Sequence, residues 1–429
     1  MNSEPTRILV IGAGIAGLAA ASYLTDRGVD AVVLEARDRI GGRIWTDDGL
    51  GCPVDMGATW IHGNLGNPIT ALASKLDLSV VRTDWDTTRV WLDDGSEVPT
   101  KKLWRLWEEA ESLCDRLAKM SEQANPQTSL EEPFARSIDR LNLPVDDQRI
   151  LLWILMGELT MNLGDDPKQL SFRYMDDDDD FDGDDLIFID GYAGLLEQIS
   201  QNLTIYTNSI VTNVDWSGQS VLVRTQTQDF VADKVIITLP LGVLKANLVE
   251  FTPPLPNRKQ KAISTLGIGL LDSLAMQFEE PFWPAEAHLI GIVGERFSWF
   301  RNLLPDLNHN VLVHHAVGDD ARSLSTLDDE ALKDRILAEL RRAFGPTALA
   351  PKAWRRSNWG QDPFTLGSYS HVPPNGRAKA FKQLAKPEAE CLYFAGEATS
   401  QRYRATVHGA WQTGIREAKK VYASLSNRP

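Results

Sequence analysis

The sequence predicts a two-domain α/β protein, in which a Rossmann-like dinucleotide-binding domain is joined to a second domain of mixed α+β structure. Length is the first reason, because 429 residues exceed what one hydrophobic core usually supports. The second reason is a β-branched strand, Arg7–Ile11, that runs directly into a glycine-rich turn and a helix. The third is that further strands lie in the middle and at the end of the chain, between long helical stretches.

The predicted elements alternate along the chain. Besides Arg7–Ile11, the pattern indicates strands at Ala31–Glu35, Val221–Thr227, Val231–Leu239 and Leu392–Ala395, and helices at Leu18–Arg27, Lys101–Met120, Gln148–Leu163, Asp328–Phe344 and Trp411–Ser424. We expect the strands at both ends and in the middle to form one parallel sheet built from distant segments. Proline-rich crossings near residues 253 and 373 suggest that residues 1–75, 205–253 and 385–429 form the cofactor domain. Residues 76–204 and 254–384 would then form the substrate domain.

The composition is that of a soluble globular protein, with 43% apolar and 24% charged residues. No apolar run approaches the roughly 20 residues that cross a bilayer. The chain enters its first strand at once, so we expect neither a signal peptide nor a membrane tail. Three scattered cysteines, Cys52, Cys114 and Cys391, suit a reducing compartment. These features predict a cytoplasmic protein that binds no membrane.

The formal net charge is −15, which argues against nucleic acid as a partner because phosphate binding needs a basic surface. Such a charge fits a small cationic substrate, and equally the acidic surface that many soluble proteins carry. The densest acidic run, Asp176–Asp185, predicts a solvated loop. The alternative for this run is a collector of cationic substrate near the entrance of a site.

The turn after the first strand, Gly12-Ala13-Gly14-Ile15-Ala16-Gly17, has the spacing of a dinucleotide-binding turn. Gly12 permits the tight turn, Gly14 lets the backbone approach a pyrophosphate, and Gly17 lets the helix pack closely on the strand. Glu35 ends the next strand, where an acid accepts the ribose hydroxyls of the ligand. We therefore predict a dinucleotide whose adenosine carries no 2′-phosphate.

A second glycine pair follows in the run Glu35-Ala36-Arg37-Asp38-Arg39-Ile40-Gly41-Gly42-Arg43, where further amides and a cation can reach the pyrophosphate. With this run the chain resembles the flavin-containing amine oxidase family, and within it the polyamine oxidase-like branch. Long motifs extend the resemblance in order through most of the chain: Asp55–Gly63, Thr238–Leu244, Phe394–Thr399 and Val407–Ala410. The resemblance implies a two-domain flavin amine oxidase fold with FAD as cofactor. The cysteine-containing pattern that links flavin covalently is absent at Ala398–Gln401, so we expect non-covalent FAD.

By the same resemblance, Asp55–Gly63 would run beside the flavin ring and Trp359 would support the ring. Val211 would contact the adenine, and Glu397 would lie at the ribityl–phosphate part. The N-terminus of the last helix, aimed at the flavin pyrimidine, would stabilise reduced flavin. The expected cofactor residues are Gly12, Gly14, Ala16, Gly17, Glu35, Ala36, Arg37, Gly42, Arg43, Gly57, Ala58, Thr59, Trp60, Val211, Trp359, Gly396, Glu397, Thr406, Val407 and Ala410. No metal site is expected.

The resemblance implies the oxidation of an amine, in which the carbon next to nitrogen gives a hydride to flavin N5. The imine then hydrolyses, and O2 reoxidises the flavin to give H2O2. His62 would line the catalytic tunnel, or alternatively fix its loop as a buried, hydrogen-bonded histidine. Tyr369 would form one aromatic wall of the substrate slot. Thr406 stands where monoamine oxidases carry a second tyrosine, which favours a polar tunnel for a longer amine such as spermidine or spermine.

The distal ammonium groups of a polyamine need carboxylates. The resemblance places Glu158, and Asp165 or Asp166, where the family supplies such acids, although a surface helix and its loop would also explain them. Ser273 stands where most members carry a lysine that reaches flavin N5 through a water molecule. Because serine supplies no charge, we hypothesise a slower reaction with oxygen, which would make the protein an amine dehydrogenase.

Three functions remain open from the sequence. The leading one is an FAD-dependent polyamine oxidase that takes a small cationic amine and O2, as a monomer or homodimer. The second is an L-amino-acid or monoamine oxidase of the same fold. An amino acid's carboxylate would need a buried arginine, for which Arg82, Arg89 and Arg173 are unplaced candidates. The third is a flavin-bound scaffold with little turnover. Histone demethylation is not expected, because no helical insertion interrupts the substrate domain.

Overall fold

The computed structural model describes residues 8–294 and 296–426, and at its centre lies a five-stranded sheet. Its strands follow the order Leu392–Phe394, Lys234–Ile237, Ile8–Ile11, Ala31–Leu34 and Thr204–Tyr206. Every neighbouring pair is parallel, and Ile8 pairs with both Lys234 and Ala31. The predicted assembly of a parallel sheet from distant segments is confirmed. Arg7, the first residue of the predicted first strand, lies outside the described residues.

Two predicted strands belong to a different sheet, wholly or in part. That sheet has the order Asp229–Ala232, Val221–Thr225, Val211–Asp215 and Glu250–Thr252. The run predicted as one strand, Val231–Leu239, bends at Asp233, so that only its second part, Lys234–Ile237, enters the parallel sheet. The prediction was wrong here because both parts are apolar, and an apolar run does not reveal which sheet it joins.

The first helix, Ile15–Thr25, and the last helix, Val407–Ser426, pack together over one face of the parallel sheet. Successive residues of the first strand bury their side chains on opposite faces, Val10 in one apolar cluster and Leu9 in the other. The first helix begins at Ile15, three residues before the predicted start, and so includes Gly17. Among the described residues, none of the helices combines the length and apolarity that crossing a membrane takes.

A second large sheet has six strands. Its order is Ala353–Arg356, Leu271–Gln277, Val311–Val317, Phe297–Asn302, Leu289–Val293 and Arg89–Leu92. All neighbours are antiparallel except the last pair. The helices Thr100–Ser121 and Val145–Met156 pack on one face, and the helix Asp329–Phe344 packs on the other. The boundaries between the two domains remain predictions.

The predicted helix Gln148–Leu163 is interrupted. An α-helix, Val145–Met156, continues as a π-helix, Gly157–Met161. The hydroxyl of Thr160 donates a hydrogen bond to the Met156 carbonyl, so the side chain competes with the backbone for that acceptor. Short π-helices occur often at functional sites, and this one carries Glu158.

The remaining elements connect these layers. The other α-helices are Pro68–Lys75, Glu131–Asp139, Ala193–Ser200, Leu241–Lys245, Asn257–Thr265, Leu304–Leu307, Gly318–Ser325 and Lys379–Leu384, and the 3-10 turns are Trp85–Thr87, Phe172–Tyr174, Gly345–Thr347 and Glu397–Thr399. Small sheets pair Thr46–Asp47 with Val54–Asp55, Gly267–Ile268 with Ser370–His371, and Leu186–Phe188 with both Trp60–Ile61 and Val80–Arg82. Ile61 of the strand Trp60–Ile61 is buried in the apolar core, and His62 is the next residue along the chain.

Candidate cofactor and substrate site

The glycine-rich turn has three glycines, and the physical reason for glycine differs at each position. Gly12 has a φ of +102°, which disfavours any side chain. A Cβ on Gly17 would lie 1.9 Å from the carbonyl oxygen of Gly12, so the helix could not pack as it does. Gly14 has ordinary backbone angles, and a Cβ there would have only the Gly41 carbonyl oxygen within 4 Å, at 3.9 Å. The fold therefore does not require Gly14 to be glycine, whereas the close approach of a ligand would.

The second glycine pair lies against this turn. The amide of Gly41 donates to the Ala13 carbonyl (2.8 Å), and a Cβ on Gly42 would lie 3.5 Å from the Cα of Gly14. The carboxylate of Glu35 is buried and accepts from the amides of Ala13 (2.7 Å) and Arg37 (2.9 Å). Each of its oxygens can accept a further hydrogen bond, as a ribose would require.

The Arg37 side chain offers an unused donor beside these turns. One of its guanidinium nitrogens forms an ion pair with Asp362 (2.7 Å). A second guanidinium nitrogen, Nη2, is buried and has no partner among the described residues. Buried donors are almost always paired, so this one fits a group that the bound cofactor supplies.

Arg43 and Glu397 join the two predicted FAD motifs directly. Arg43 Nη1 donates to Glu397 Oε1 (2.9 Å) and to the Ser368 carbonyl (2.6 Å). Glu397 is buried, and its other oxygen accepts from the Ala405 amide (3.1 Å). Both residues line a small cavity together with Leu239 at the carboxyl ends of the parallel strands, where ligands of such sheets bind.

Thr406 caps the last helix. Its hydroxyl accepts from the Gly409 amide (3.0 Å) and donates to the Tyr403 carbonyl (3.0 Å). The side chain therefore satisfies one of the free amides at the N-terminus of the helix, which begins at Val407, four residues before the predicted start at Trp411. Its hydroxyl is engaged within the chain.

Trp359 contacts the segment Asp55–Gly63. Its indole Nε1 donates to the Met56 carbonyl (3.2 Å), and its ring stands edge-on to Trp45 at 6.0 Å. A Cβ on Gly57 would lie 3.1 Å from the Trp359 ring. Within the same segment, Thr59 is buried and its hydroxyl donates to the Gly57 carbonyl. On the adenosine side, the strand that begins at the buried Val211 follows Ser209, whose amide donates to the Glu35 carbonyl (2.7 Å).

His62 is half-exposed and is held by an acid that sequence reasoning missed. Its Nδ1 lies 3.4 Å from Asp185 Oδ1, which also accepts from the Gly63 amide (3.1 Å). The indole of Trp85 donates to the other oxygen of Asp185 (3.2 Å). Burial acts to raise the pKa of Asp185, but His62 and these hydrogen bonds lower it below its usual value. Asp185 is therefore an ionised partner that orients the imidazole.

The acidic run Asp176–Asp185 is a loop whose acids are mostly exposed, as its composition predicted, but two of them are anchored by a buried cation. Arg404 is only 2% exposed and forms ion pairs with Asp177 and Asp178, both at 2.7 Å. Phe181 stacks on Tyr403 with ring centroids 4.8 Å apart. The buried cation holds the first part of the run against the residues that precede the last helix. Its last acid, Asp185, lies beside His62 because Leu186 pairs with Ile61. Composition could not show the pairing with Arg404 because Arg404 is more than 200 residues away in the sequence.

Glu158 lies where solvent reaches it, yet the surrounding protein raises the pKa of its carboxyl. Burial is the largest cause of the raised pKa, and the negative charges of Glu111 and Asp185 raise it further. Three carboxyl groups therefore share one region beside His62. A cation that binds among them would relieve their mutual repulsion.

Asp165 and Tyr369 are engaged within the chain. Asp165 is 2% exposed, and Arg322 donates to both of its oxygens at 2.9 and 2.7 Å. Its neighbour Asp166 accepts from the Asp319 amide (2.6 Å). Tyr369 donates its hydroxyl to the Met161 carbonyl, at the end of the π-helix. Asp165 is therefore not available to bind an ammonium group of a substrate. The Tyr369 ring, in contrast, lies against the π-helix that bears Glu158.

Ser273 is buried and its hydroxyl lies 3.0 Å from Nδ1 of His315. His315 in turn stands 6.0 Å from the Trp60 ring, and the guanidinium of Arg301 lies 5.3 Å from the same ring. Sequence reasoning missed both Arg301 and His315, although each lies inside a buried strand where a charged or titratable residue is unusual. The arginines that it named lie elsewhere: Arg82 pairs with Asp184, Arg89 pairs with Glu97, and Arg173 donates to the carbonyls of Glu122 and Ala124.

Comparison with known proteins gives consistent matches. Residues 15–422 match the family model described as flavin containing amine oxidoreductase. The chain is 34% identical to polyamine oxidase 4 of Oryza sativa subsp. japonica, over 97% of the chain and 88% of that protein. It is 30% identical to lysine-specific histone demethylase 2 of Homo sapiens, over 97% of the chain and 53% of that protein. A solved triple mutant of putrescine oxidase, redesigned in cofactor binding, has the same fold with a TM-score of 0.76 at 23% identity, covering 98% of this chain and 99% of that one.

Proposed function

The chain belongs to the flavin-containing amine oxidoreductases and is an FAD-dependent amine oxidase, and from this premise we propose that it oxidises polyamines of the spermidine type. One observation carries the proposal. Glu158, Glu111 and Asp185 bring three carboxyl groups to one solvent-accessible region beside His62. A substrate with two or more ammonium groups can place one among these acids while another nitrogen reaches the flavin. The polyamine oxidases among the relatives agree with this substrate class.

Bound FAD supplies the hydride acceptor, and its reaction with O2 gives H2O2. The space at Gly14 and the unpartnered Nη2 of Arg37 fit a cofactor that passes between the two glycine turns. Glu35 would hold the ribose, Arg43 and Glu397 the flavin end, and Trp359 the ring. We propose that these contacts hold FAD without a covalent bond.

The chain's own task is to bind the amine and free its nitrogen of a proton. An alkyl ammonium has a pKa of about 10.4, so at neutral pH it must lose a proton before the adjacent carbon can release a hydride. We propose that His62, held at Nδ1 by Asp185, accepts that proton directly or through a water molecule. Loss of the hydride from the neutral amine then leaves an iminium ion, which water hydrolyses to an aldehyde and the departing ammonium.

The test is anaerobic reduction of the purified yellow protein by an amine series. We expect spermidine to reduce the flavin at lower concentration than a monoamine of similar length. The change Glu158→Gln should raise the apparent Kd for spermidine about tenfold, because one charge-assisted contact is lost, and should leave the monoamine unchanged. Glu132→Gln is the matched control, since Glu132 lies exposed on another helix and pairs with Arg136. Equal effects of Glu158→Gln on both amines would refute the assignment.

We also propose that reoxidation by O2 is slow. Ser273 carries no charge, and its hydroxyl is occupied by His315 within a buried pair. In stopped-flow reoxidation, Ser273→Lys should increase the rate constant with O2 at least about tenfold if a cation at this position accelerates the reaction. An unchanged rate constant in a variant that retains its flavin would show that the missing lysine is irrelevant.

A further inference from the structure

A buried arginine, Arg301, lies near the ring of Trp60 and has no polar partner in the part of the chain that the structure describes. Arg301, on the strand Phe297–Asn302, is 5% exposed. Within residues 8–294 and 296–426 its guanidinium forms no hydrogen bond and no ion pair, and its Nε is sealed from solvent. Its guanidinium carbon lies over the Trp60 ring, 5.3 Å from the ring centroid. A buried guanidinium without hydrogen bonds or a counter-charge is strongly unfavourable unless a ligand supplies them.

A second polar group without a partner faces the same way. His315 Nδ1 is engaged by Ser273, but its Nε2 is buried and has no partner in the described part of the chain. Ser273, His315 and Trp299 pair across three strands, so their side chains lie on one face of the sheet. Arg301 follows Trp299 by two residues and shares that face. Two unsatisfied buried groups on one sheet face point to a shared ligand.

This sheet face borders the proposed reaction site. The Trp60 ring lies near both Arg301 and His315. The ring of His62, two residues after Trp60, lies 6.3 Å from the Trp60 ring. The π-helix packs on the sheet nearby, because a Cβ on Gly157 would lie 2.9 Å from the indole nitrogen of Trp299. Since Glu158 is the next residue, one site has an acidic side and a cationic side.

The chain's own carboxylates do not neutralise Arg301. The acids whose charges reach it are Asp55 and Asp306, and neither lies within ion-pair distance. Asp55 accepts from Thr46 (2.6 Å), and Asp306 pairs with His288 (2.8 Å). The guanidinium remains charged at neutral pH whatever its surroundings. A ligand that satisfies it must therefore bring acceptor oxygens and negative charge.

We propose that Arg301 and His315 form a subsite for a carboxylate carried by the amine substrate. Guanidinium binds carboxylate through two parallel N–H···O bonds, which is the pairing its planar shape favours. The acids around Glu158 would take the distal ammonium group. The site would then also accept amines that carry both a carboxylate and a second ammonium, as diamino carboxylic acids do. This inference rests on the proposed amine oxidation and adds a second substrate class to the polyamines.

The experiment compares substrates that differ only in the carboxylate: lysine with 1,5-diaminopentane, and ornithine with 1,4-diaminobutane. Anaerobic flavin reduction gives an apparent Kd for each. We expect the carboxylated member of at least one pair to bind about tenfold to a hundredfold more tightly. Pentanoate, which has no amine, should raise the melting temperature of the wild-type protein, because a ligand that binds only the folded state stabilises it.

The variant Arg301→Met keeps the length and apolar stem of the side chain and removes the charge. It should abolish the advantage of the carboxylate and the stabilisation by pentanoate, while the unsubstituted diamines bind equally or more tightly. Arg301→Lys should restore part of the advantage, and flavin content checks that each variant is folded. If the diamines reduce wild-type flavin and their carboxylated partners do not, the carboxylate subsite is refuted and amine oxidation stands. If no amine reduces the flavin, the proposed function fails together with the inference drawn from it.

Discussion

Replacing Gly14 by alanine should separate cofactor binding from folding. The backbone angles at Gly14, φ −70° and ψ 171°, suit any L residue, and the nearest atom to an added Cβ is 3.9 Å away. The change reduces the entropy of the unfolded chain, worth about 0.4–1 kcal/mol in favour of folding. Gly14 is also the N-cap of the first helix, and alanine is a poorer cap than glycine by a similar amount. The two effects nearly cancel, so we expect the apoprotein to unfold within about 0.5 kcal/mol of the wild type.

FAD binding should change much more. A methyl group at position 14 would occupy the space into which a pyrophosphate approaches the backbone. We expect the Kd for FAD to rise at least about tenfold, which corresponds to about 1.4 kcal/mol. The assay is titration of the apoprotein with FAD, followed by flavin fluorescence, beside urea unfolding of the same apoprotein.

Gly17→Ala is the matched comparison. Its Cβ would lie 1.9 Å from the Gly12 carbonyl oxygen, a backbone atom that cannot rotate away. Such overpacking costs about 1–3 kcal/mol, so this variant should lose stability as well as FAD affinity. The reasoning is refuted if Gly14→Ala binds FAD like the wild type, or if it destabilises the apoprotein as much as Gly17→Ala does.

Three further changes test other parts of the structure. Burial raises the pKa of Asp55 to about 6. Because the folded pKa lies above the unfolded value of about 3.9, ionising this acid opposes folding, and stability should fall by about 3 kcal/mol as pH rises from about 4 to about 6. Asp55→Asn should flatten that part of the pH profile in urea unfolding. Arg404→Leu leaves the carboxylates of Asp177 and Asp178 without their cation, and urea unfolding should show a loss of about 3 kcal/mol. Tyr369→Leu removes the aromatic ring beside the π-helix and should raise the apparent Kd of amines about tenfold in anaerobic titration, whereas Tyr369→Phe should leave it nearly unchanged.

Each of these changes has its own control. If the free energy of unfolding of Asp55→Asn falls between pH 4 and pH 6 as steeply as that of the wild type, Asp55 does not cause the loss of stability. Arg402→Leu is matched to Arg404→Leu, because Arg402 is 70% exposed and pairs with one acid of the same run, and it should cost less than about 1 kcal/mol. Equal losses in the two variants would contradict the burial argument. Similar amine affinities in Tyr369→Leu and the wild type would exclude the ring from the substrate slot.

Local sequence determined the dinucleotide half of this protein. Gly12, Gly14, Gly17 and Glu35 lie within one βαβ unit, where spacing alone fixes which backbone atoms approach a ligand. Periodicity likewise indicated the long helices, because an amphipathic pattern is a local property of the chain. It did not show that the run from Val231 to Leu239 bends into two strands of different sheets, since apolar residues lie on both sides of the bend at Asp233.

Tertiary structure alone decided the electrostatics of the substrate site. Asp185 reaches His62 because the strand that follows it pairs with the strand before His62, more than 100 residues away in the sequence, and Asp165 is committed to Arg322 instead of a substrate. Arg301 and His315 lie on neighbouring strands whose register brings both toward Trp60. Charges act through space, and their partners depend on strand order, register and burial. The sequence by itself therefore determined the fold and the cofactor class, whereas the arrangement of the substrate site depends on contacts between distant segments.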